Sequence, residues 1–182
     1  MKGVVFTEFL EMVEARYSPA LLEDLIDEAD LPSKGAYTAV GTYPPAEMLS
    51  LVSALSLSTG VPPPDLLKLY GEYLFRSFKV KFPHFFEAPK TSFDFLAAVE
   101  SNIHQEVIKL YPDAELPSFV IEAHEPAYFS MVYSSTRPLG DLCEGLIIGA
   151  LKHFNETAEL VREDLESGPK TRVRFQIFKS GR

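Results

Sequence analysis

A chain of 182 residues suits one domain built on one main core. With 46% apolar and 24% charged residues, its composition is that of a folded globular protein, not of a disordered or fibrous one. Twenty-six acidic residues against 17 basic ones give a net charge of −9, which repels phosphate backbones and anionic lipid and sets aside nucleic acid and membrane as partners.

The first segment carries Val5, Phe9, Met12 and Val13 at helical spacing, with Glu8, Glu11 and Glu14 on the opposite face. Those three glutamates also break what a signal peptide would need as an unbroken apolar stretch. No later run approaches the ~18 apolar residues of a membrane span, so the expected location is the cytoplasm. Pro19 opens a second helix through Leu21, Leu22, Leu25 and Ile26, ending near Leu31-Pro32. Pro44-Pro45 opens a third with Met48, Leu51, Val52 and Leu55, and Gly60 ends it. Pro62-Pro63-Pro64-Asp65 starts a fourth, running through Tyr70, Tyr73, Leu74 and Phe78 to a break at Phe82-Pro83.

Thr91-Ser92 with Asp94 supplies capping oxygens for a helix over roughly 92–111, striped by Leu96, Val99, Ile103, Val107 and Leu110. After Pro112 the period changes. Ser118–Ala123 and Ala127–Thr136 read as extended runs joined at Glu125-Pro126. Asp141 can cap a helix through Leu142, Leu146, Ile147, Leu151 and Phe154. Thr171–Lys179 alternates Val173, Phe175 and Ile177 with Arg172, Arg174 and Gln176, a half-buried strand. Thr157–Leu165 fits helix or strand, and the Ser167-Gly168-Pro169 turn favours a hairpin. Helices followed by an antiparallel sheet with one helix inserted make an α+β fold. A doubly wound dinucleotide fold is excluded, because it needs alternating strands and helices and a Gly-rich first turn.

The histidines are His84, His104, His124 and His153, and none pairs with another at i,i+3 or i,i+4, so a zinc hydrolase has little support. No G-x-S-x-G or P-loop is present. Cys143, the one cysteine, rules out an internal disulfide and a Cys-rich zinc site, and it reads as a small core residue beside Glu144 rather than a nucleophile. His104 lies beside an apolar stripe, where a neutral imidazole suits an iron ligand; taken alone, such a histidine is more often a packing residue. In an extended strand Tyr133, Ser135 and Arg137 point to one face, a row of donors fit for a pair of carboxylates. Taken alone, that row is more often a solvated strand face.

Together with His104 upstream, the Tyr133-x-Ser135-x-Arg137 pattern resembles the haem–nitric oxide/oxygen binding (H-NOX) family. Met1-Lys2-Gly3, Leu116-Pro117 and Glu144-Gly145-Leu146 fit as well, and the match spans nearly the whole chain. The resemblance implies a b-type haem between a helical lobe (about residues 1–60) and a mixed lobe (about 61–182) with a four-stranded antiparallel sheet. One cysteine cannot make the two-cysteine attachment of c-type haem, so the group would be held non-covalently. His104 would bind the iron, Tyr133, Ser135 and Arg137 would grip the propionates, Pro117 would press on the macrocycle, and Val5 would press from the helical lobe. Some relatives carry a zinc-binding cysteine cluster; a single cysteine predicts no structural metal here.

The same alignment lines the ligand side with Phe9, Leu74, Phe78, Leu142 and Leu146. Oxygen-binding members have a Tyr where Leu142 stands. Bound O2 carries partial negative charge, and a missing donor costs on the order of 1–3 kcal/mol. NO and CO are therefore the expected ligands, with O2 excluded unless Tyr70 or Tyr73 swings in. NO would break the Fe–His104 bond. With the sequence ending at Arg182, no kinase or cyclase domain follows, so the signal would pass to a separate histidine kinase or diguanylate cyclase. Two rivals stand beside the sensor. One is a haem-free small-molecule or lipid-binding module whose guest carboxylate pairs with Arg137. The other is a haem peroxidase, which needs a distal acid–base group that the apolar wall lacks, so no enzyme is expected.

Overall fold

The computed structural model describes residues 1–166 and 170–180; the turn expected at Ser167-Gly168-Pro169 lies outside them. Four helices come first: α1 (Val4–Arg16), α2 (Pro19–Glu28), α3 (Pro45–Thr59) and α4 (Pro63–Lys81). Prolines sit in the first turns of α2, α3 and α4, where a missing N–H leaves no bond unmade. The Ser18 hydroxyl caps α2 by accepting from the Leu21 amide at 3.1 Å. Gly60, at φ +72°, closes α3 in the left-handed conformation. A 3₁₀ turn over Pro83–Phe86 follows the expected break.

Thr91 and Asp94 form a reciprocal capping box that opens α5 (Ser92–Ala98). The single helix expected over 92–111 is not continuous. Val99–Ile103 winds as a π turn and α6 (His104–Leu110) resumes after it. The Glu100 carboxylate, inside that turn, accepts from the Phe119 amide at 3.2 Å. This anchor to the neighbouring strand holds the wider turn in place.

The sheet contains β1 (Ser118–His124), β2 (Tyr128–Ser135), β3 (Ala158–Glu166) and β4 (Thr171–Lys179), with α7 (Gly140–His153) between β2 and β3. Its order is β1-β2-β4-β3 and every pairing is antiparallel. The α+β class and the four-stranded antiparallel sheet are therefore as expected, and the ambiguous segment after Thr157 is strand. Val173, Phe175 and Ile177 are fully buried, as period-two alternation requires.

Two apolar clusters share α4 and α7. The first joins Phe6, Phe9, Leu51, Tyr70, Leu74 and Leu142; the second joins Phe75, Phe93, Phe129, Ile147 and Phe175. Close approach of α4 and α7 depends on Gly71 and Gly145. A Cβ on the first would collide with the Leu142 carbonyl, and one on the second with the Lys68 carbonyl. No helix among the described residues is long and apolar enough to cross a membrane.

Two side chains depart from the sequence reading. Glu8 is not on a solvated face with Glu11 and Glu14. It is fully buried, hydrogen-bonded to Ser77 and paired with Lys81, because the end of α4 delivers the counter-charge that its burial requires. Asp141 does not cap α7; its carboxylate goes to Arg162. It still lies in the first turn, where a negative charge faces the positive end of the helix dipole.

Candidate functional site

His104 is the first residue of α6, directly after the π turn. Its Nδ1–H donates to Glu100 Oε2 at 3.1 Å, and its ring lies 5.6 Å from that of Phe119. Burial lowers its pKa, against the opposing pull of the Glu100 hydrogen bond and charge. A neutral ring whose Nδ1 proton is held by a carboxylate presents its Nε2 lone pair on the far edge.

The donor row is not carried wholly by a strand, as expected. β2 ends at Ser135, so Arg137 lies past it, and the Ser135 Oγ accepts from the Arg137 amide at 3.1 Å in a tight turn. Arg137 is nonetheless buried. Its Nη1 donates to the Glu115 carbonyl and its Nη2 to Glu115 Oε2, both at 2.8 Å, while its buried Nε has no acceptor. Tyr133 is buried with its ring 5.7 Å from Phe119. Burial pushes its pKa up to about 12, so it stays a protonated donor. The Met1 amine donates to the Tyr43 carbonyl at 2.8 Å, and its pKa is lowered by burial and then by the nearby Arg137 charge.

His104, Pro117 and Ser135 line one open cavity of about 680 Å³, together with Ile108 and Leu116. That volume falls in the range of about 300–1,000 Å³ usual for cofactor sites. None of the α6 residues is buried although its sequence carries an apolar stripe, so the helix offers unspent apolar surface there. A free imidazole nitrogen beside the apolar Ile108, Leu116 and Pro117 fits a flat apolar group with an iron at its centre; Tyr133 and Arg137, whose buried Nε lacks an acceptor, do not line this cavity, although Ser135 between them in sequence does. The residues present therefore fit haem.

The other expected contacts are gathered elsewhere. Phe9, Leu74 and Leu142 are buried in the first cluster, Val5 and Phe78 pack against it, and Leu146 touches both clusters. None of these six lines the cavity beside His104. Tyr70, fully buried and edge-on to Phe9 at 5.2 Å, donates its hydroxyl to the Val5 carbonyl. Cys143 is buried, and burial pushes its thiol up well beyond the usual range, so it is inert as a nucleophile. Sequence reading missed Glu100 and Glu115. The i,i+4 spacing of Glu100 and His104 was the available signal for the first; nothing local marks the second.

The family model described as Haem-NO-binding matches residues 2–162. Among solved structures, the Fe(II) unliganded H-NOX protein from K. algicida is 38% identical, with a TM-score of 0.92 over 100% of this chain and 98% of that one. The H-NOX from Shewanella woodyi, solved with IWP-051 bound in the Fe(II)CO state, is 35% identical, with a TM-score of 0.83 over 99% of this chain and 95% of that one. An H-NOX protein from S. oneidensis in the Fe(II)NO state, 22% identical with a TM-score of 0.87 over the full length of both chains, shares the fold. No curated protein matches by sequence.

Proposed function

This chain belongs to the Haem-NO-binding (H-NOX) family of gas-sensing haem domains, and from that premise we propose that it is a nitric oxide sensor of the cytoplasm, not an enzyme. In this reading His104 is the axial ligand of a non-covalent b-type haem. Tyr133, Ser135 and Arg137 hold its propionates, with the unpartnered Arg137 Nε as the strongest support. Pro117, on the cavity wall, and Val5, from α1, press on the ring from its two sides. The two apolar clusters support a division into a helical and a mixed lobe, with α4 and α7 common to both.

Haem, held by His104, would supply a ferrous iron able to take NO or CO. Everything else is the work of this chain. Phe9, Leu74, Phe78, Leu142 and Leu146 surround the ligand side and contain no donor. The observation that carries the selectivity is the commitment of Tyr70: the one fully buried phenol of the helical cluster gives its proton to the Val5 carbonyl. Tyr73 sits at the surface end, where Glu11 and Glu8 raise its pKa after partial burial does. Tyr70 is thus not left over to hold the partial negative charge of O2, and an unmade charge-assisted bond is worth about 1.5–3 kcal/mol. Among the described residues, the Glu100 carboxylate ties the turn before α6 to Phe119 of β1, so the position of His104 is coupled to the sheet. A partner protein that binds one arrangement better than another reads a shift between them; a histidine kinase or a diguanylate cyclase is the partner this reading names.

The test is an absorption spectrum of the purified, reduced protein. A ferrous haem band that shifts with NO and with CO, and forms no stable complex under air, is expected. A protein that stays colourless in excess hemin overturns the haem reading, and a long-lived O2 complex overturns the selectivity.

A further inference from the structure

Glu100 Oε2 receives two N–H groups from different parts of the fold: the His104 Nδ1–H at 3.1 Å and the Phe119 amide at 3.2 Å. Among the described residues, Glu100 is the only hydrogen-bond partner of the His104 ring. The arrangement depends on the π turn. Glu100 lies inside it and His104 immediately follows it, so the irregular winding places a strand-anchored carboxylate behind the ring. Such single π turns concentrate at functional sites because they re-aim one side chain without ending the helix. The Glu100 side chain is 42% exposed, so as a simple ion pair it would be worth little. Direction matters more: a carboxylate accepting the Nδ1–H fixes the tautomer and orientation of the imidazole and makes its other nitrogen a stronger donor to a metal.

From this geometry we infer that Glu100 is a positioning residue that strengthens His104 as the iron ligand and so sets how readily NO breaks that bond. The inference rests on the haem reading above. It also gives the π turn a task. The carboxylate that braces the ring is tied to Phe119, two residues past Pro117 on the cavity wall, so His104 and that wall share one anchor.

Packing against Phe119 also orients the His104 ring, and substitutions separate the two effects. Glu100→Gln keeps an acceptor for both N–H groups and removes the charge; Glu100→Ala removes the acceptor. Resonance Raman spectra of the ferrous protein read the iron–imidazole stretch directly, and circular dichroism melting confirms the fold of each variant. The band is expected to move to lower frequency in E100Q and further in E100A, with haem retention falling about 10–100-fold in E100A. At a fixed NO concentration, both variants lose the iron–His104 bond in a larger fraction of molecules. Should E100A fail to fold, the E100Q shift decides. A band unmoved in the folded variants overturns the inference while leaving the haem reading intact; a wild-type protein that takes up no hemin overturns both.

Discussion

In the helical cluster Tyr70 gives its proton to the Val5 carbonyl, and Glu8 is met by Ser77 and Lys81; at the end of the sheet Arg137 keeps a buried Nε with no acceptor. The cluster has one exception, Glu47, whose Oε2 accepts from Ser33 and Tyr37 while its Oε1 has no partner. That orphan is an acceptor, so it offers nothing to a ligand bearing negative charge. The contrast assigns different tasks to the two regions. A region whose fully buried donors are, among the described residues, all committed can discriminate among diatomic gases only by size and by iron affinity. A region with donors in excess can hold carboxylates. Retention of the cofactor belongs to the sheet end, and choice of ligand to the helices.

If that division is right, substitutions in the two regions fail differently. His104→Gly should have the largest effect: axial ligation is lost altogether, seen as loss of the ferrous haem band, while the apo-protein loses only the ~1 kcal/mol that Gly costs inside a helix. Phe9→Ala should do the reverse. Phe9 is fully buried against Tyr70, and its truncation should remove about 3–5 kcal/mol from the unfolding free energy in urea. Equal stability losses in the two variants would erase the distinction.

Much of this architecture was legible because it rests on local rules. Prolines at the starts of α2, α3 and α4, the Thr91–Asp94 box and the alternation of Val173, Phe175 and Ile177 each state their structure within a few residues. What escaped depends on distant partners. The burial of Glu8 needs Lys81 from the far end of α4, and Asp141 turns to Arg162 across the loop after α7. The π turn has no signature in a 3.6-residue period, since Leu96, Val99, Ile103, Val107 and Leu110 keep ordinary helical spacing through it. At the candidate site, His104, Pro117 and Ser135 line one cavity, whereas Tyr133 and Arg137 of the same motif do not. Arg137 did not follow the strand face read for it, because β2 stops at Ser135 and a side-chain turn carries the guanidinium inward. The apolar set was named by alignment and is packed as core, which no spacing argument distinguishes from a pocket wall.

The ligand side can be probed without breaking the fold. Leu142→Tyr places a phenol where the cluster has no free donor. A new bond to bound O2, at about 1.5–3 kcal/mol, should lengthen the lifetime of the O2 complex tenfold or more. Overpacking would offset this with a stability cost of about 1–3 kcal/mol. Stopped-flow mixing of ferrous protein with air reads the lifetime, and an unchanged lifetime would show that Leu142 does not face the ligand. Tyr70→Phe should be milder, about 0.5–1.5 kcal/mol of stability for one hydrogen bond, with no change in O2 behaviour because that hydroxyl is already spent on Val5. A shift in O2 affinity in this variant would mean that the phenol reaches the ligand after all.

The smallest effect distinguishes the regions by acid. Hydrogen bonds from Thr91, first through its side chain, lower the Asp94 pKa below its ordinary 3.8, with the nearby His124 charge adding slightly. A carboxyl whose folded pKa is depressed contributes stability above the unfolded value and loses it as pH falls through the folded one. The window therefore opens below about pH 3.8 and extends down through the depressed value. The side chain is 44% exposed, so solvent screening keeps the contribution below about 1 kcal/mol. Asp94 caps α5, which runs directly into the π turn and His104. Hydrogen exchange at amides of residues 95–104 should therefore accelerate on acidification before exchange in α1 and α4 does, and Asp94→Asn should flatten that difference. Simultaneous loosening of both regions would mean that the helix bearing His104 has no local stability of its own, and that the sheet end and the helical cluster respond as one unit.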